Sequence, residues 1–440
     1  MYIISECLYN TCAQGGNAMY SFQTTFFINT DYAIRRSEPL RNYLEIFKVL
    51  NLDDIPDRTH DSGRKGYSIH AMIRALIVKH RERINSIPRL IDHLKGNPIL
   101  AEMCGFPNGI LPDESQFYRF LGKTNHSLFS NLLHMHNKTL IEKKALSLDT
   151  FILDSKPVLA ATRENNPKNS DRNLTKKERK PKRNPDATLG YLAKEPNGSP
   201  SFFWGYRTHV IVSKEGIALV ECTLPNSATD AEVAKTLIKR LKKLYAFKKG
   251  ALFIADASYD VNELYDFIID TLKCQAYIPI NLRATKPPHP LGDRGRPLCD
   301  AGLEMSHDGT FFDKRRRTIK RKFICPNKKS KKHGIVCPVN HPKSQGYGCT
   351  KYFCEVRTAR ASVPRDSSHF AREYARRITV EQYFSRLGSI EAEQTTHYKL
   401  RTVRNQITIA HLTQSLIALA SVSINKPENI RCYRTFAHVA

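Results

Sequence analysis

Tyr374-Ala-Arg-Arg-Ile-Thr-Val-Glu-Gln-Tyr-Phe-Ser-Arg-Leu-Gly388 is the stretch whose reading decides the fold. It is built of helix-compatible residues without proline, with apolar side chains at Ile378, Val380, Tyr383, Phe384 and Leu387, and so predicts a helix. On a 3.6-residue period Tyr374, Arg377 and Glu381 fall at i, i+3 and i+7 and share one face. Alone, a carboxylate beside an arginine on such a face reads as a helical salt bridge. Two strand-like runs upstream change that reading, because each ends in an aspartate: Phe151-Ile-Leu-Asp154 and Leu252-Phe-Ile-Ala-Asp256. Two strand-end aspartates and one helical glutamate are the hard oxygen donors that a divalent-metal phosphodiester site requires.

The chemistry explains why these residue types are needed. Cleavage at neutral pH requires an activated water or 3′-hydroxyl and a stabilised leaving oxygen, and two Mg2+ ions about 3.5–4 Å apart supply both. An unpaired aspartate at the end of a buried strand is costly, which singles out Asp256; its alternative is a cap on a helix starting near Val261. Asp154 has a local rival in Asp149. Five residues apart on a regular strand, the two point to opposite faces, so only one reaches the site. Asp154 closes the apolar run and precedes Ser155-Lys-Pro157, where the strand should end, and is the favoured ligand.

Composition narrows the partners. The chain has 440 residues and a net charge of +27, enough length for two or more domains and a surplus that points to a polyanion, foremost nucleic acid. The start lacks a basic segment followed by a long apolar one, so no secretory signal is expected; Met19 is a second candidate start. The longest mostly apolar run, residues 407–424, is interrupted by Thr408, His411, Thr413, Gln414 and Ser415 and reads as a buried helix, not a membrane span. Eleven cysteines without framework spacing fit reduced thiols in a cytosol.

Along the chain, residues 1–61 form an N-terminal extension with a short amphipathic helix over 39–52. Residues 62–144 form an all-helical domain, with helices expected over 67–80, over 86–94 and after Asp113 or Ser115. Three short helices with basic residues suit a helix-turn-helix DNA reader or a dimerisation unit equally. Residues 145–283 then give a strand, a hairpin turning at residues 213–216, a helix capped by Asp230, a buried strand over 251–255, a helix over 261–272 and a strand over 276–280. This α/β order is that of an RNase H-like mixed sheet flanked by helices. Residues 284–372 break the rhythm as a basic, cysteine-containing inserted subdomain, 373–425 return to the core with a long final helix, and 426–440 are a tail.

The motifs carry a family resemblance. Gly66-Tyr-Ser-Ile-His-Ala-Met-Ile-Arg-Ala-Leu and Pro112-Asp-Glu-Ser-Gln-Phe-Tyr-Arg-Phe resemble the N-terminal domain of bacterial insertion-sequence transposases. Asp154-Ser-Lys-Pro-Val, Gly205-Tyr-Arg-Thr-His209, Asp256-Ala-Ser-Tyr-Asp260 and Arg377-Ile-Thr-Val-Glu-Gln-Tyr-Phe-Ser-Arg resemble DDE transposases of those elements. The resemblance implies that Asp154, Asp256 and Glu381 bind two Mg2+ ions, with Mn2+ able to substitute, in cleavage of terminal inverted repeats and strand transfer into target DNA. It also implies double-stranded DNA as partner, a homodimeric synaptic complex and no membrane. Tyr374, Arg377 and Glu381 match the Tyr-Arg-Glu-Lys signature, whereas the lysine position is Gly388; Arg386 is the nearby basic residue. An RNase H-like host nuclease and an inactive, DNA-binding copy are the alternative functions.

Other residues stay open. His209 and Asp230 recur in the family pattern and read as a strand histidine and a helix cap; Trp204, the single tryptophan, reads as a core aromatic. Cys325, Cys337, Cys349 and Cys354, with His341, either hold a structural Zn2+ or are separate reduced thiols. The basic runs 163–183 and 314–332 should meet phosphates. Neutralising Arg315, Arg316 and Arg317 together should therefore flatten the slope of log K against log salt for duplex binding by about two to three units, at roughly 0.9 per phosphate contact. An unchanged slope in a salt titration would make that run a solvated face.

Overall fold

The computed structural model describes residues 30–57, 66–165, 181, 183–194, 200–281, 290, 296–314, 318–328, 336–346, 348–355, 359–360, 362–365, 367–389, 392–393 and 395–432. Arg315, Arg316 and Arg317, the extension up to residue 29 and most of the basic run 163–183 lie outside the described residues, as does the side chain of Cys354.

Six strands form the main sheet: β1 (Thr150–Leu159), β2 (Thr188–Lys194), β3 (Pro200–Ser213), β4 (Ala218–Pro225), β5 (Leu252–Ile254) and β6 (Gln275–Tyr277). β3 runs antiparallel to β1, with Asp154 opposite Val210, and its other edge pairs with β4 along one half and β2 along the other. β5 and β6 follow parallel to β1, with Ile152 opposite Ile254 and Ile254 opposite Tyr277. The order β4-β3-β1-β5-β6, an antiparallel meander continued by two parallel strands, is the RNase H-like arrangement. The apolar runs explain it: Phe151, Ile152, Phe253 and Ile254 are fully buried, as strands covered on both faces must be. β2 has no such run, and its Tyr191 and Leu192 stay exposed, so the sequence gives no strand signal there.

The helical part comprises α1 (Thr30–Arg36), α2 (Glu38–Val49), α3 (Ile69–Arg81), α4 (Ile87–Lys95), α5 (Pro98–Cys104), α6 (Glu114–Lys123) and α7 (His126–Glu142). Side chains of Ser37, Ser68, Ser86, Asp113 and Asn125 cap α2, α3, α4, α6 and α7 by accepting from backbone N–H groups of the first turn. Tyr43 and Ile46 of α2 join the same core as α3 to α6, so the helical unit begins before residue 62. α5 and α7 escape sequence periodicity. The inward face of α7 carries His134, His136 and Asn137 among its leucines, which blurs the apolar stripe.

After the sheet strands come α8 (Asp230–Leu244) and α9 (Asn262–Tyr265), the latter followed by a wide π turn, Asp266–Thr271, in place of a regular helix. Thr229, not Asp230, takes the N-cap place of α8. The inserted subdomain is a three-stranded antiparallel sheet, β7 (Ser306–Asp313), β8 (Thr318–Ile324) and β9 (Thr350–Glu355), over a small core of Cys299, Met305 and Phe323. The stretch read as one helix is broken: α10 (Ser368–Tyr374), a 3-10 turn over Ala375–Arg377, then α11 (Ile378–Ser389). The last helix, α12 (Leu400–Ser423), is buried on every side. Val403, Ile407 and Ala410 join the core of the sheet, whereas Ile409, Leu412 and Leu416 join that of the helical unit. Among the described residues no helix is long and apolar enough to cross a membrane.

Gly205 shows how tightly β1 and β3 are laid together. A Cβ there would stand 2.2 Å from the carbonyl oxygen of Val158, so a backbone would have to move. Gly205→Ala should cost about 1–3 kcal/mol of stability, as other overpacking changes do. Chemical denaturation measures it, and a change below about 0.5 kcal/mol would mean the strand pair yields freely.

Candidate active site

Each carboxylate comes from a different element, and each is set by a local constraint. Asp154 sits on β1; its Oδ1 accepts from the backbone N–H of Ser155 at 2.8 Å. Asp256 follows β5 and caps the 3-10 turn Ala257–Tyr259, its Oδ1 accepting from the N–H of Ser258 at 2.8 Å and from the Ser258 hydroxyl. The cap expected at the Val261 helix is thus made one turn earlier. Both aspartates spend one oxygen on their own backbone and aim the other at Arg377: Nη2 lies 3.2 Å from Asp154 Oδ2 and 3.9 Å from Asp256 Oδ2. Nη1 donates to Glu381 Oε1 one helical turn on. The 3-10 turn ending at Arg377 preserves the predicted pairing with Glu381 despite the break in the helix.

The site opens outward in steps. Side-chain exposure rises from 15% for Asp154 to 35% for Asp256 and 48% for Glu381, so a polyanion would approach over Glu381. Burial pushes the Asp154 carboxyl up to about 6 against the pull of Arg377 and the Ser155 N–H, with Asp256 and Asp230 adding to the rise. Burial works on Arg377 in the lowering direction, yet the carboxylates of Asp154, Asp256 and Glu381 carry it above its ordinary value. Tyr374 stacks on Phe370 with ring centroids 5.8 Å apart, and the same charged groups act on its hydroxyl, which places it beside the cluster.

A clamp fixes the segments that bear Asp256 and Glu381. Asp260 accepts from Arg360 Nε at 2.7 Å and also from Nη2, while its Oδ2 takes the N–H of Asn281 at 2.8 Å. Arg365 donates to the carbonyl of Ile278 at 3.0 Å and to the Tyr265 hydroxyl at 2.8 Å. These contacts tie the chain entering α10 to β6 and α9. On the opposite face of β1, Ser155 donates to Asp230 Oδ1 at 2.9 Å and accepts from Arg207 at 3.1 Å. His209 lies 3.3 Å from the same Asp230 oxygen, and burial pushes its ring down to about 4, so it is neutral.

Other sequence-predicted residues are elsewhere. Asp149 precedes β1, is mostly exposed and is paired with Lys214 at 2.5 Å. Arg386 is committed to the carbonyl of Gly216 at 2.7 Å and to the ring of Tyr383, so the structure does not bring it to the carboxylates. Trp204 is buried in the sheet. Lys156 was missed by sequence reasoning, although it follows Asp154 by two residues and so shares its face of β1. Its Nζ donates to the carbonyl of Phe384 at 3.1 Å and pairs with Glu393. The Glu393 carboxylate lies over Gly388, where a Cβ would stand 2.2 Å from Oε1. An ammonium from β1 thus reaches the region where the signature lysine would start, and alternation along β1 was the signal for it.

The donor set suits a hard divalent ion. Three carboxylates converge on one guanidinium, and each has an oxygen free of backbone bonds.

Comparison with known proteins gives the family. Residues 147–416 match the family described as "Transposase DDE domain", and residues 29–123 match "Transposase domain (DUF772)". No curated protein matches the chain. Among solved structures it is similar to the cryo-EM structure of a piggyBac transposase synaptic complex with hairpin DNA, at 11% identity, with 91% of this chain and 80% of that chain covered and a TM-score of 0.41.

The raised Asp154 carboxyl has a measurable consequence for stability. Its folded value lies above the unfolded one, so it favours the folded state fully below about pH 4 and loses that contribution as pH rises through about 6. In chelated protein, Asp154→Asn should gain on wild type by roughly 2–3 kcal/mol between pH 4 and pH 8. Denaturant titrations at the two pH values test this; a pH-independent difference would mean Asp154 ionises as it does in the unfolded chain.

Proposed function

The chain belongs to the family of transposases with a DDE domain, and from that premise we propose that it cuts and joins DNA at the ends of its own mobile element. It would hydrolyse the phosphodiester at each terminal inverted repeat and join the freed 3′-hydroxyl to target DNA. The observation that carries this reading is the convergence of Asp154, Asp256 and Glu381, from three separate elements, on one guanidinium. Asp154, Asp256 and Glu381 are the residues that would hold two Mg2+ ions, with Mn2+ able to substitute. Bound there, the metal would activate the attacking oxygen and stabilise the leaving one.

The chain's own residues do the rest. Arg377 is placed to leave the carboxylates for a phosphate, which it can grip with two parallel N–H groups. Lys156 stands in for the lysine that Gly388 replaces, an ammonium that can contact a phosphate next to the scissile one. Tyr374 lines the same approach. The Asp230–Ser155–Arg207 chain braces β1 from behind, and the Asp260–Arg360 clamp keeps the Asp256 and Glu381 segments in register. The helical unit and the basic inserted subdomain would bind the transposon ends, with a second copy completing the synaptic complex.

Three isosteric changes test the assignment. Asp154→Asn, Asp256→Asn and Glu381→Gln should each lower Mg2+-dependent nicking of a duplex carrying the element's end by roughly 100-fold or more. Gel-shift affinity should be kept in all three. Asp149→Asn, bound to Lys214 away from the cluster, should retain most activity. Near-normal cleavage by the Asp256 or Glu381 variant would remove the triad, and a dead Asp149 variant beside an active Asp154 variant would reassign the first ligand.

A further inference from the structure

Among the described residues, the inserted subdomain has a small core for the sheet it carries. Its buried apolar cluster is Cys299, Met305 and Phe323, with Leu303, Phe353 and Cys349 partly buried against it. Small units of this kind depend on a staple. Beside that core is one small cavity, with room for little more than a single ion, and four thiols line it: Cys299, Cys325, Cys337 and Cys349. They come from four separate places in the chain, and chance proximity does not account for what their backbones do.

Three of the four cysteines open the same tight turn. The N–H of Gly302 donates to the carbonyl of Cys299 at 2.9 Å, that of Lys328 to Cys325 at 3.2 Å, and that of Asn340 to Cys337 at 3.1 Å. Pro326 and Pro338 occupy the second position of two turns, where a fixed φ favours them. Gly302 and Asn340 close two of them with φ of 72° and 46°. A turn of this shape holds the first side chain over its own N–H groups, which suits an anionic sulfur. The fourth cysteine is joined to the others through the backbone: Cys325 N–H donates to the Cys349 carbonyl at 2.9 Å.

We propose that Cys299, Cys325, Cys337 and Cys349 bind one structural zinc ion as thiolates. Four thiols each release a proton to solvent on binding, leaving a tetrahedral centre of charge −2. Lys351, whose ammonium donates to the Leu298 carbonyl at 2.8 Å and to Asp300 at 3.3 Å, stands beside it as counter-charge.

Two oxygen or nitrogen donors compete for a place. The ligand atoms of Asp300, His341 and Cys349 all lie within 4.8 Å of one another. His341 Nδ1, however, accepts from the N–H of Lys343 at 3.1 Å, so its proton is on Nε2, which faces Asp300 at 3.2 Å. A neutral ring in that state has no lone pair left for a metal. Asp300 offers a hard oxygen, which zinc takes less readily than thiolate at a structural site. His341 and Asp300 are therefore an outer pair that orients the turns. Cys299 joins Cys325, Cys337 and Cys349 of the set anticipated from sequence, whereas the backbone of Cys354 pairs with Lys320, at the other end of β9 from Cys349.

The test uses the full chain purified under reducing conditions. Elemental analysis should find one zinc per chain, and exchange with Co2+ should give the thiolate charge-transfer and visible bands of a tetrahedral site. Cys299→Ser and Cys337→Ser should weaken zinc binding by more than the roughly 100-fold that loss of an outer partner can cost, and His341→Asn by about 10-fold. Cys354→Ser should leave stoichiometry unchanged. Wild-type protein without zinc and without cobalt bands would overturn the site, independently of any variant. Full zinc retention by Cys299→Ser, or its abolition by His341→Asn or Cys354→Ser, would overturn this ligand set.

Discussion

A helix buried on all sides is positioned by the partners its polar groups find, and α12, buried throughout, pairs most of its own, with Asn405 Oδ1 and Gln414 Nε2 as exceptions. It lies between the helical unit and the sheet, and its polar side chains face both. Asn405 donates to the carbonyls of Leu121 and Thr124, at the end of α6. Ser415 donates to Asn137 of α7, which in turn donates to Ala218 at the start of β4. Thr408 donates to the buried Glu221 of β4 at 2.7 Å, and His411 stacks on Tyr383 of α11 with its Nε2 3.4 Å from Thr208 of β3. An unpaired polar group in such a place costs several times what a made hydrogen bond contributes. Position and orientation of α12 are therefore dictated from both sides, and α11, with Glu381 on it, is dictated through Tyr383.

That constraint gives the carboxylate cluster its rigidity. Glu381 sits on a helix whose inner face, Val380, Tyr383, Phe384 and Leu387, is buried against the sheet and α12. Asp154 sits on β1, and Asp256 caps the turn that follows the adjacent parallel strand β5. Three like charges are brought within reach of one cation by packing that none of them contributes to, which is how a fold can sustain a mutually repelling set.

The sheet and the meeting of Asp154, Asp256 and Glu381 were legible in the sequence because both rest on short-range signals: an apolar run followed by an aspartate, and helical spacing around Glu381. What was not legible depended on partners distant in the chain. β2 is an edge strand held by β3, with no apolar pattern of its own. The inner face of α7 is partly polar because Arg240, Tyr245 and Ser415 wait there for His134 and Asn137. Cys299 stands 26 residues before Cys325, outside any ligand-like spacing, and only the folding of the insert brings it to the other thiols. Arg386 shows the reverse: plausible by sequence, it was already spoken for by Gly216.

Arg377 also makes the pocket self-restrained. Its guanidinium occupies the carboxylate oxygens that the proposed metal would need, so a weakly held ion would have to displace a tethered competitor. A DNA phosphate is a rival anion that can draw the arginine aside. On the proposed reading, ion loading and DNA arrival would be linked, and reciprocally so: each would raise the affinity for the other. On the proposed reading, a chain without its substrate would keep its cutting centre locked by its own side chain, and the key would be the molecule to be cut.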